Sequence, residues 1–226
     1  MELNKTKTTG LNKGKKAGFD KEEINKILDI LDIAYPEAEC ALHYESVFQL
    51  LIAVTLSAQT TDKSVNIVTK NLFEKYANAK QLSEANVEAV EDIIKRIGMH
   101  RTKTKNIIEI SNKIVVDFNG EVPQDYEELI KLPGVGRKTA NVVLSVGFGE
   151  QRIGVDTHVF RVANRIGIAE GKDVLSTELS LMENIPIERW TQTHHGLIFH
   201  GRNCCAARKP NCKECPLSEY CQSSPL

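Results

Sequence analysis

Four cysteines near the end of the chain have the spacing expected of metal ligands. They follow the pattern C-x6-C-x2-C-x5-C, at Cys205, Cys212, Cys215 and Cys221. Thiolate sets of this kind bind zinc or an iron–sulfur cluster. Structural zinc sites usually present two close pairs of ligands, whereas here only Cys212 and Cys215 are close. The spacing therefore favours a [4Fe–4S] cluster, with one thiolate at each corner, over a single zinc ion.

The chemistry alone does not fix which cysteine is the first ligand. Cys204 directly precedes Cys205, and a C-x7-C spacing that starts at Cys204 stays open. Cys40 lies far away in sequence and is expected to be a buried free thiol. A disulfide framework is the competing interpretation of the set. It is disfavoured because a chain of 226 residues can bury a core without covalent staples.

The start of the chain predicts an intracellular protein. The segment MELNKTKTTGLNKGKK is lysine-rich and has no apolar stretch of the kind found in a signal peptide. Residues 1–18 are predicted to form a disordered basic arm. No apolar run approaches the length of a membrane span. We therefore expect a cytoplasmic location and no contact with a membrane.

A glycine hairpin is the most specific local motif. The residues LPGVGRKTA cover positions 132–140 and predict a short helix, a tight turn with two glycines, and a second helix. The backbone N–H groups at the start of that second helix carry partial positive charge and can bind a phosphate. Glycines leave room for a nucleic-acid backbone to approach, although glycine is also common in ordinary turns between helices. The hairpin therefore favours DNA binding.

Lys138 and Asp156 have the chemistry of a catalytic pair. Lys138 follows Arg137 directly, and a neighbouring cation disfavours the ammonium form of a lysine, so that more neutral amine is available. A neutral amine is the nucleophile of Schiff-base chemistry. Asp156 stands at the head of a predicted helix, where aspartate is a preferred N-cap. The pattern leaves cap and catalyst as equal alternatives, and one carboxylate can do both.

Charge is balanced over the whole chain but segregated within it. There are 29 Lys and Arg against 30 Asp and Glu, which gives a net charge of −1. The global field therefore does not indicate a polyanionic partner. Basic residues concentrate in positions 95–113 and 202–213. Such patches can bind a phosphate backbone locally, but they are also typical of solvated helix faces.

Hydrophobic periodicity predicts an all-α fold that positions these residues. Asp20 and Glu23 form a capping-box pattern before a helix that ends at Pro36. Residues 46–57 are apolar nearly all round, which is typical of a central buried helix. Further helices are predicted over residues 61–76, 83–97 (one or two helices, broken at Gly98), 103–118, 125–131, 137–146, 156–166, 174–185 and 187–199. We expect two lobes, with a hinge near Gly147, Phe148 and Gly149.

Four separate motifs in order resemble one known family. They are LSAQTTD at 56–62, LPGVGRKTAN at 132–141, VDTHVFR at 155–161, and HGR at 200–202 leading into the cysteines. Together they are similar to the endonuclease III family, which are helix-hairpin-helix DNA glycosylases with a [4Fe–4S] cluster. The resemblance runs from about residue 20 to residue 221. It implies a repair enzyme that cuts the glycosidic bond of oxidised pyrimidines and then nicks the abasic strand.

The resemblance assigns roles residue by residue. Lys138 matches the family's catalytic lysine and Asp156 its catalytic aspartate. The cysteines that match the cluster ligands are Cys205, Cys212, Cys215 and Cys221, which selects Cys205 over Cys204. Gln59 matches the residue that fills the gap left by the extruded base. Met99 lies where the family places an apolar wedge, which is usually a leucine. The hairpin residues that match DNA contacts are Leu132, Gly134, Val135, Gly136 and Arg137.

The resemblance also implies an architecture and a mode of action. A six-helix barrel is expected over residues 40–150, with the helix-hairpin-helix at 125–146. Residues 19–39 and 151–226 are expected to form a discontinuous iron–sulfur domain, with a DNA cleft between the two lobes. The expected partner is double-stranded DNA with a damaged pyrimidine or an abasic site, bound by a monomer associated with a prokaryotic nucleoid. The alternative is a non-catalytic helix-hairpin-helix DNA-binding module with a structural metal site.

Overall fold

A computed structural model describes residues 18–226, and within that range the secondary structure is helical with no strands. The basic arm predicted over residues 1–18 lies outside this range except for its last residue. The prediction of an all-α fold with two lobes is confirmed. No helix in the described part of the chain combines the length and the apolar character needed to cross a membrane.

Eleven α-helices make up the described chain. Their bounds are α1 Lys21–Ala34, α2 Val47–Leu56, α3 Asp62–Lys75, α4 Ala79–Ser83, α5 Val87–Ile94, α6 His100–Asp117, α7 Tyr126–Leu129, α8 Arg137–Val142, α9 Thr157–Ile166, α10 Val174–Asn184 and α11 Trp190–Asn203. A π-helical turn, Val143–Gly147, continues α8. Two 3₁₀ turns, Ile187–Arg189 and Cys212–Glu214, flank the last helix.

Two separate hydrophobic cores divide the helices into two lobes. The first core lies between Leu42 and Leu144 and belongs to α2–α8, here called the central lobe. The second core joins residues 24–31 to residues 153–217 and belongs to α1, α9–α11 and the C-terminal loop, here called the terminal lobe. The terminal lobe is therefore built from both ends of the described chain. The predicted domain limits stay a prediction.

The helix α2 forms the centre of the first core, as its uniformly apolar sequence predicts. Every residue from Phe48 to Leu56 is buried, and Ser46 caps the helix by accepting from the Gln49 N–H at 3.2 Å. In the terminal lobe, α1 begins with the predicted capping box of Asp20 and Glu23. α11 packs against α1 and α9. This packing brings the segment before the cysteines against the N-terminal helix.

Several predicted helix bounds differ from the structure. The segment 83–97, predicted as one or two helices, corresponds to α4 Ala79–Ser83 and α5 Val87–Ile94. α6 begins at His100 rather than at residue 103, because Met99 adopts a left-handed conformation (φ 57°) and serves as its N-cap without a side-chain hydrogen bond. α11 continues to Asn203 rather than residue 199, and the Cys204 N–H donates to the His200 carbonyl at 2.9 Å. The residues of this last turn are mostly polar, so hydrophobic periodicity did not predict that the helix continues.

Candidate active site and metal-cluster centre

The two residues of the predicted catalytic pair lie together at the junction of the two lobes. Lys138 is the second residue of α8 and Asp156 is the N-cap of α9. The Lys138 Nζ lies 3.3 Å from Asp156 Oδ2. The other carboxylate oxygen, Oδ1, accepts from the N–H groups of His158 at 2.8 Å and Val159 at 2.9 Å. Asp156 therefore acts as a helix cap through one oxygen and faces the lysine with the other.

The surroundings of Asp156 keep its carboxylate ionised. Burial alone would raise its pKa, because a low dielectric disfavours charge. The charge of Lys138 and the hydrogen bond from the Val159 N–H act in the opposite direction. Together they lower the pKa of Asp156 below its ordinary value. The carboxylate is thus negative at neutral pH, next to the amine.

Arg137, which is itself exposed, pairs with a buried glutamate rather than standing as an isolated cation. Its Nη2 lies 2.6 Å and its Nε 2.9 Å from Glu178 Oε1, and Glu178 is only 2 % exposed. Asn141 donates to the same oxygen at 3.2 Å. The positive charge beside Lys138, on which the sequence argument relied, is therefore largely compensated. The pair also joins the hairpin to α10 of the terminal lobe.

The two glycines of the hairpin have different structural roles. Gly134 has φ +76°, and a Cβ there would lie 2.5 Å from the Asn106 side-chain nitrogen, so the turn itself requires glycine. A Cβ on Gly136 would meet nothing within 4 Å, which leaves the start of α8 open to an approaching ligand. Leu132 and Val135 are 4 % and 5 % exposed. Their side chains therefore anchor the hairpin in the core and leave only backbone groups for outside contacts.

Lys138 and Asp156 line a wide cleft with a volume of about 760 Å³. Gln59, in the loop between α2 and α3, lines the same cleft and has a left-handed backbone conformation with φ 54°. Arg202 enters from the terminal lobe and binds the Asp62 carboxylate at 2.8 Å. The cleft therefore lies between the lobes and has positive and negative groups on its walls.

Lys103 is a buried residue beside the cleft loop whose contacts the sequence did not reveal. It was counted within a basic patch, yet it is only 4 % exposed. Its ammonium donates to the Ala58 carbonyl and to Thr60 Oγ1, both at 2.8 Å, on either side of Gln59. Its backbone N–H donates to the Met99 carbonyl at 2.9 Å. Lys103 thus ties the loop of Gln59 to the turn of Met99, whose side chain is 52 % exposed.

The cysteine-rich loop encloses a cavity of about 230 Å³ at the far side of the terminal lobe. The cysteines that line it are Cys204, Cys205, Cys212, Cys215 and Cys221. Ligand atoms of His200, Cys204 and Cys215 lie within 4.8 Å of one another. Sulfur donors around a shared cavity suit a thiolate-bound metal cluster. Cys204 therefore lines this cavity together with the four cysteines of the predicted set.

Neighbouring side chains support the cysteine loop. His200 is buried, and its Nε2 lies 3.6 Å from Cys215 Sγ while its Nδ1 lies 3.0 Å from the hydroxyl of Tyr35, the C-cap of α1. Arg165 of α9 donates to Cys205 Sγ at 3.4 Å and to the Ala206 carbonyl at 2.8 Å. Hydrogen bonds of this kind orient metal-binding thiolates. The helices α1, α9 and α11 thus hold the centre from three sides.

An all-helical fold with a glycine hairpin, a lysine–aspartate pair in a cleft between two lobes, and a cysteine centre defines the class of helix-hairpin-helix base-excision proteins. The family model described as "HhH-GPD superfamily base excision DNA repair protein" matches residues 52–186. The chain belongs to this family. The match covers α8 and α9, and therefore includes both residues of the pair.

Individual relatives agree with the family assignment over most of the chain. Endonuclease III of Bacillus subtilis (strain 168) is 50 % identical over 202 residues, which cover 89 % of this chain and 92 % of that protein. Endonuclease III of Escherichia coli (strain K12) is 46 % identical over 187 residues, 83 % of this chain and 89 % of that protein. The C-terminal cysteine site is accordingly a metal-cluster site.

Solved structures have the same fold. A trapped covalent intermediate of endonuclease III with DNA superposes with a TM-score of 0.86 at 48 % identity, covering 91 % of this chain and 97 % of that chain. A thermostable thymine-DNA glycosylase has a TM-score of 0.80 at 23 % identity, over 90 % of this chain and 97 % of that chain. The second similarity concerns the fold alone.

Proposed function

We propose that the protein is a bifunctional DNA glycosylase and abasic-site lyase that removes oxidised pyrimidines from double-stranded DNA. The observation that carries the proposal is the 3.3 Å approach of Lys138 Nζ to Asp156 Oδ2 in the cleft between the lobes. An amine beside a carboxylate can act as a nucleophile and form a Schiff base with a sugar. The relatives named endonuclease III, one of them trapped covalently on DNA, support this chemistry.

The mechanism follows from the roles of the two side chains. The damaged nucleotide turns out of the duplex, which costs roughly a few kcal/mol and costs least for a base whose stacking or pairing is already weak. Asp156 accepts a proton from the Lys138 ammonium and stabilises the positive charge that develops on the sugar. The amine nitrogen then forms a bond to the anomeric carbon while the bond from that carbon to the base breaks, and the base leaves with a proton.

The lyase step uses the same nitrogen. The bond from the anomeric carbon to the ring oxygen then breaks, and that oxygen takes up a proton, which opens the sugar and leaves the carbon joined to the lysine nitrogen as a protonated imine. The imine makes the neighbouring C–H bond acidic. Loss of that proton expels the 3′ phosphate by β-elimination, which nicks the strand. Hydrolysis of the imine then returns Lys138 as a free amine. No oxidant or reductant is required at any step, so the pair of side chains is sufficient for the chemistry.

The DNA contacts are proposed from the surfaces around the pair. The backbone N–H groups at the start of α8 and the side chain of Arg137 would hold a phosphate, with Gly134 and Gly136 allowing its approach. Leu132 and Val135 would contribute through their backbone only. Gln59 would fill the gap left by the extruded base, and the exposed side chain of Met99 would wedge into the base stack. Lys103 is bonded both to the loop of Gln59 and to the turn of Met99, which supports insertion of the two side chains together.

The cofactor proposed for the cysteine centre is a [4Fe–4S] cluster. Its ligands would be Cys205, Cys212, Cys215 and Cys221, the set that matches the motif spacing, with Cys204 nearby but outside it. A cavity of about 230 Å³ is far larger than one zinc ion with Zn–S distances of about 2.3 Å would need. When bound, the cluster would staple the loop that follows α11. The chemistry on DNA belongs to Lys138 and Asp156.

We also propose a domain organisation and a cellular location for the protein. The central lobe would correspond to a six-helix barrel over residues 40–150, and the terminal lobe to the iron–sulfur domain of residues 19–39 and 151–226. The protein would act as a monomer in the prokaryotic cytoplasm, at the nucleoid.

Borohydride trapping tests the proposed reaction. The protein is incubated with a duplex that contains thymine glycol, and the imine is reduced to a stable covalent adduct. We expect an adduct with the wild type and none with Lys138→Ala, because only a primary amine forms an imine. Lys131→Ala is the control, since Lys131 is an exposed lysine paired with Glu128 at 2.8 Å outside the cleft. Absence of the wild-type adduct would favour the non-catalytic DNA-binding alternative.

A further inference from the structure

Cys204 and Cys205 are adjacent in sequence but contact different partners. Cys205 Sγ lies 3.4 Å from Arg165 Nη1 of α9. Cys204 is the C-cap of α11, and its Sγ lies 3.6 Å from the Asn211 carbonyl oxygen. Both thiols line the same cavity, but only Cys205 belongs to the set proposed for the cluster. Cys204 is therefore a cavity thiol without an assigned role.

Cys204 belongs to a closer set of metal-binding side chains. Its sulfur and the ligand atoms of His200 and Cys215 all lie within 4.8 Å of one another. His200 and Cys204 are four residues apart at the end of α11, where the Cys204 N–H donates to the His200 carbonyl at 2.9 Å, so their side chains lie on one face of the helix. The same spacing separates the two histidine ligands in many zinc fingers. The other cysteines that line the cavity are not part of this set.

The distances within this set suit one zinc ion. With Zn–N and Zn–S bonds of about 2.0 and 2.3 Å, tetrahedral ligand atoms lie about 3.5–3.8 Å apart. His200 Nε2 lies 3.6 Å from Cys215 Sγ. Thiolates on different corners of a [4Fe–4S] cube are farther apart, because two irons and a bridging sulfide lie between them. The set therefore has the size of a site for a single ion.

The other nitrogen of His200 has the contact that a metal-binding histidine needs. Its Nδ1 lies 3.0 Å from the Tyr35 hydroxyl, and the Tyr35 ring packs edge-on against the imidazole with 5.8 Å between the ring centroids. A histidine that binds a metal through one nitrogen usually donates its other N–H to a polar group, which fixes the tautomer and the ring orientation. The Tyr35 hydroxyl can accept from Nδ1–H, and the lone pair of Nε2 is then available beside Cys215.

We propose that the protein without its cluster binds a single zinc ion through His200, Cys204 and Cys215. A water or a further thiolate from the cavity completes the tetrahedron, and each thiol that binds loses its proton to solvent. Cys215 belongs both to this set and to the set proposed for the [4Fe–4S] cluster, so the two metals exclude each other. The inference goes beyond the proposed function, because it adds a second way to hold the loop after α11 and does not involve the reaction on DNA.

Metal analysis of the full chain tests the proposal. The protein is produced without its cluster in iron-depleted medium, and Zn²⁺ is titrated in competition with a chromophoric chelator. We expect one zinc ion per chain in the wild type and binding weaker by about tenfold or more in Cys204→Ser, since even the loss of a hydrogen bond to a ligand costs about that much. Co²⁺ bound in place of zinc should show weaker thiolate charge-transfer absorption in Cys204→Ser, because one sulfur ligand is lost.

Cys205→Ser is the matched control, because it changes the adjacent cysteine. Without the cluster, Cys205→Ser should bind zinc as tightly as the wild type. In iron-replete medium the two variants should differ in the opposite sense. Cys204→Ser should keep the iron and sulfide content of the wild type, which would also show that this variant folds, whereas Cys205→Ser should lose it.

Several outcomes would overturn the proposal. They are the absence of zinc from the cluster-free wild type, equal zinc affinity in the wild type and Cys204→Ser, and loss of the cluster in Cys204→Ser, which would make Cys204 a cluster ligand. A wild type that forms no borohydride adduct with DNA would instead contradict the proposed function. That failure is distinguishable, because the zinc titration does not depend on activity.

Discussion

Asp156 shows how one side chain can serve the fold and the chemistry together. Its Oδ1 accepts two backbone N–H groups at the start of α9, which fixes the carboxylate in place. Its Oδ2 is left to face Lys138 Nζ. The sequence presented cap and catalyst as alternatives. The geometry removes the conflict, since a carboxylate has two oxygens and each has a separate set of partners.

Substitutions of Asp156 should separate these two roles. Asp156→Asn keeps an oxygen that can cap α9 but removes the charge, so we expect base excision to fall about 100-fold or more while stability changes by less than about 1 kcal/mol. Asp156→Ala should lose the same activity and, in addition, about 1 kcal/mol of stability through loss of the cap. Single-turnover excision and urea unfolding measure the two effects. Equal stability losses in both variants would contradict the separation.

At the scale of elements, α6 is the support for the two segments proposed to enter the DNA. Its first turn presents the Met99 carbonyl to the backbone N–H of Lys103, whose ammonium reaches back to the Gln59 loop. Burial lowers the pKa of Lys103, and its two hydrogen bonds offset part of the cost of burying a charge. A buried lysine at this position therefore indicates a positioning role.

Lys103→Met tests this role. The methionine keeps the length and apolar stem of the lysine but cannot donate to Ala58 and Thr60, so the loop of Gln59 should become more mobile. We expect faster amide hydrogen exchange in residues 57–60 and about tenfold weaker binding of an abasic duplex, with two lost hydrogen bonds as the cause. Lys105→Met is the control, since Lys105 is exposed on the same helix. Exchange rates that match the wild type would contradict the positioning role.

At the scale of the whole molecule, two charged pairs join the lobes, and one of them lies on the walls of the cleft. Arg202 on α11 binds Asp62 on α3, and Arg137 on α8 binds Glu178 on α10. Charged pairs that are partly buried contribute to a defined arrangement more than to net stability. The second pair attaches α8, which carries Lys138, to α10 of the terminal lobe, which also contains Asp156 at the start of α9.

Buried neutral histidines predict a stability that depends on pH. Burial lowers the pKa of His194 to about 3 and that of His195 to about 4, whereas an unfolded histidine has a pKa of about 6.5. The unfolded chain therefore binds more protons between about pH 6.5 and pH 4. The stabilisation is complete above about pH 6.5 and is lost as the pH falls toward 4.

Urea unfolding of the holoprotein at pH 7 and pH 5 measures this effect. We expect a loss on the order of 2 kcal/mol for each of the two histidines over this interval. The double variant His194→Phe/His195→Phe should show a correspondingly smaller loss. If the wild type and the double variant had the same pH dependence, the histidines would not be its cause.

The sequence by itself determined the helical fold class and the features that depend on local spacing. The capping box of α1, the apolar α2, the glycine hairpin and the order of the cysteines are all properties of neighbouring residues, and their physical signals are short-range. Only the tertiary structure decided which distant groups converge. The hydrogen bonds of Lys103, the compensation of Arg137 by Glu178, the presence of Cys204 at the cysteine centre and the burial of His194 near Asp156 all depend on helices from different parts of the chain. Their contacts arise from long-range packing, which a periodicity of 3.6 residues does not encode.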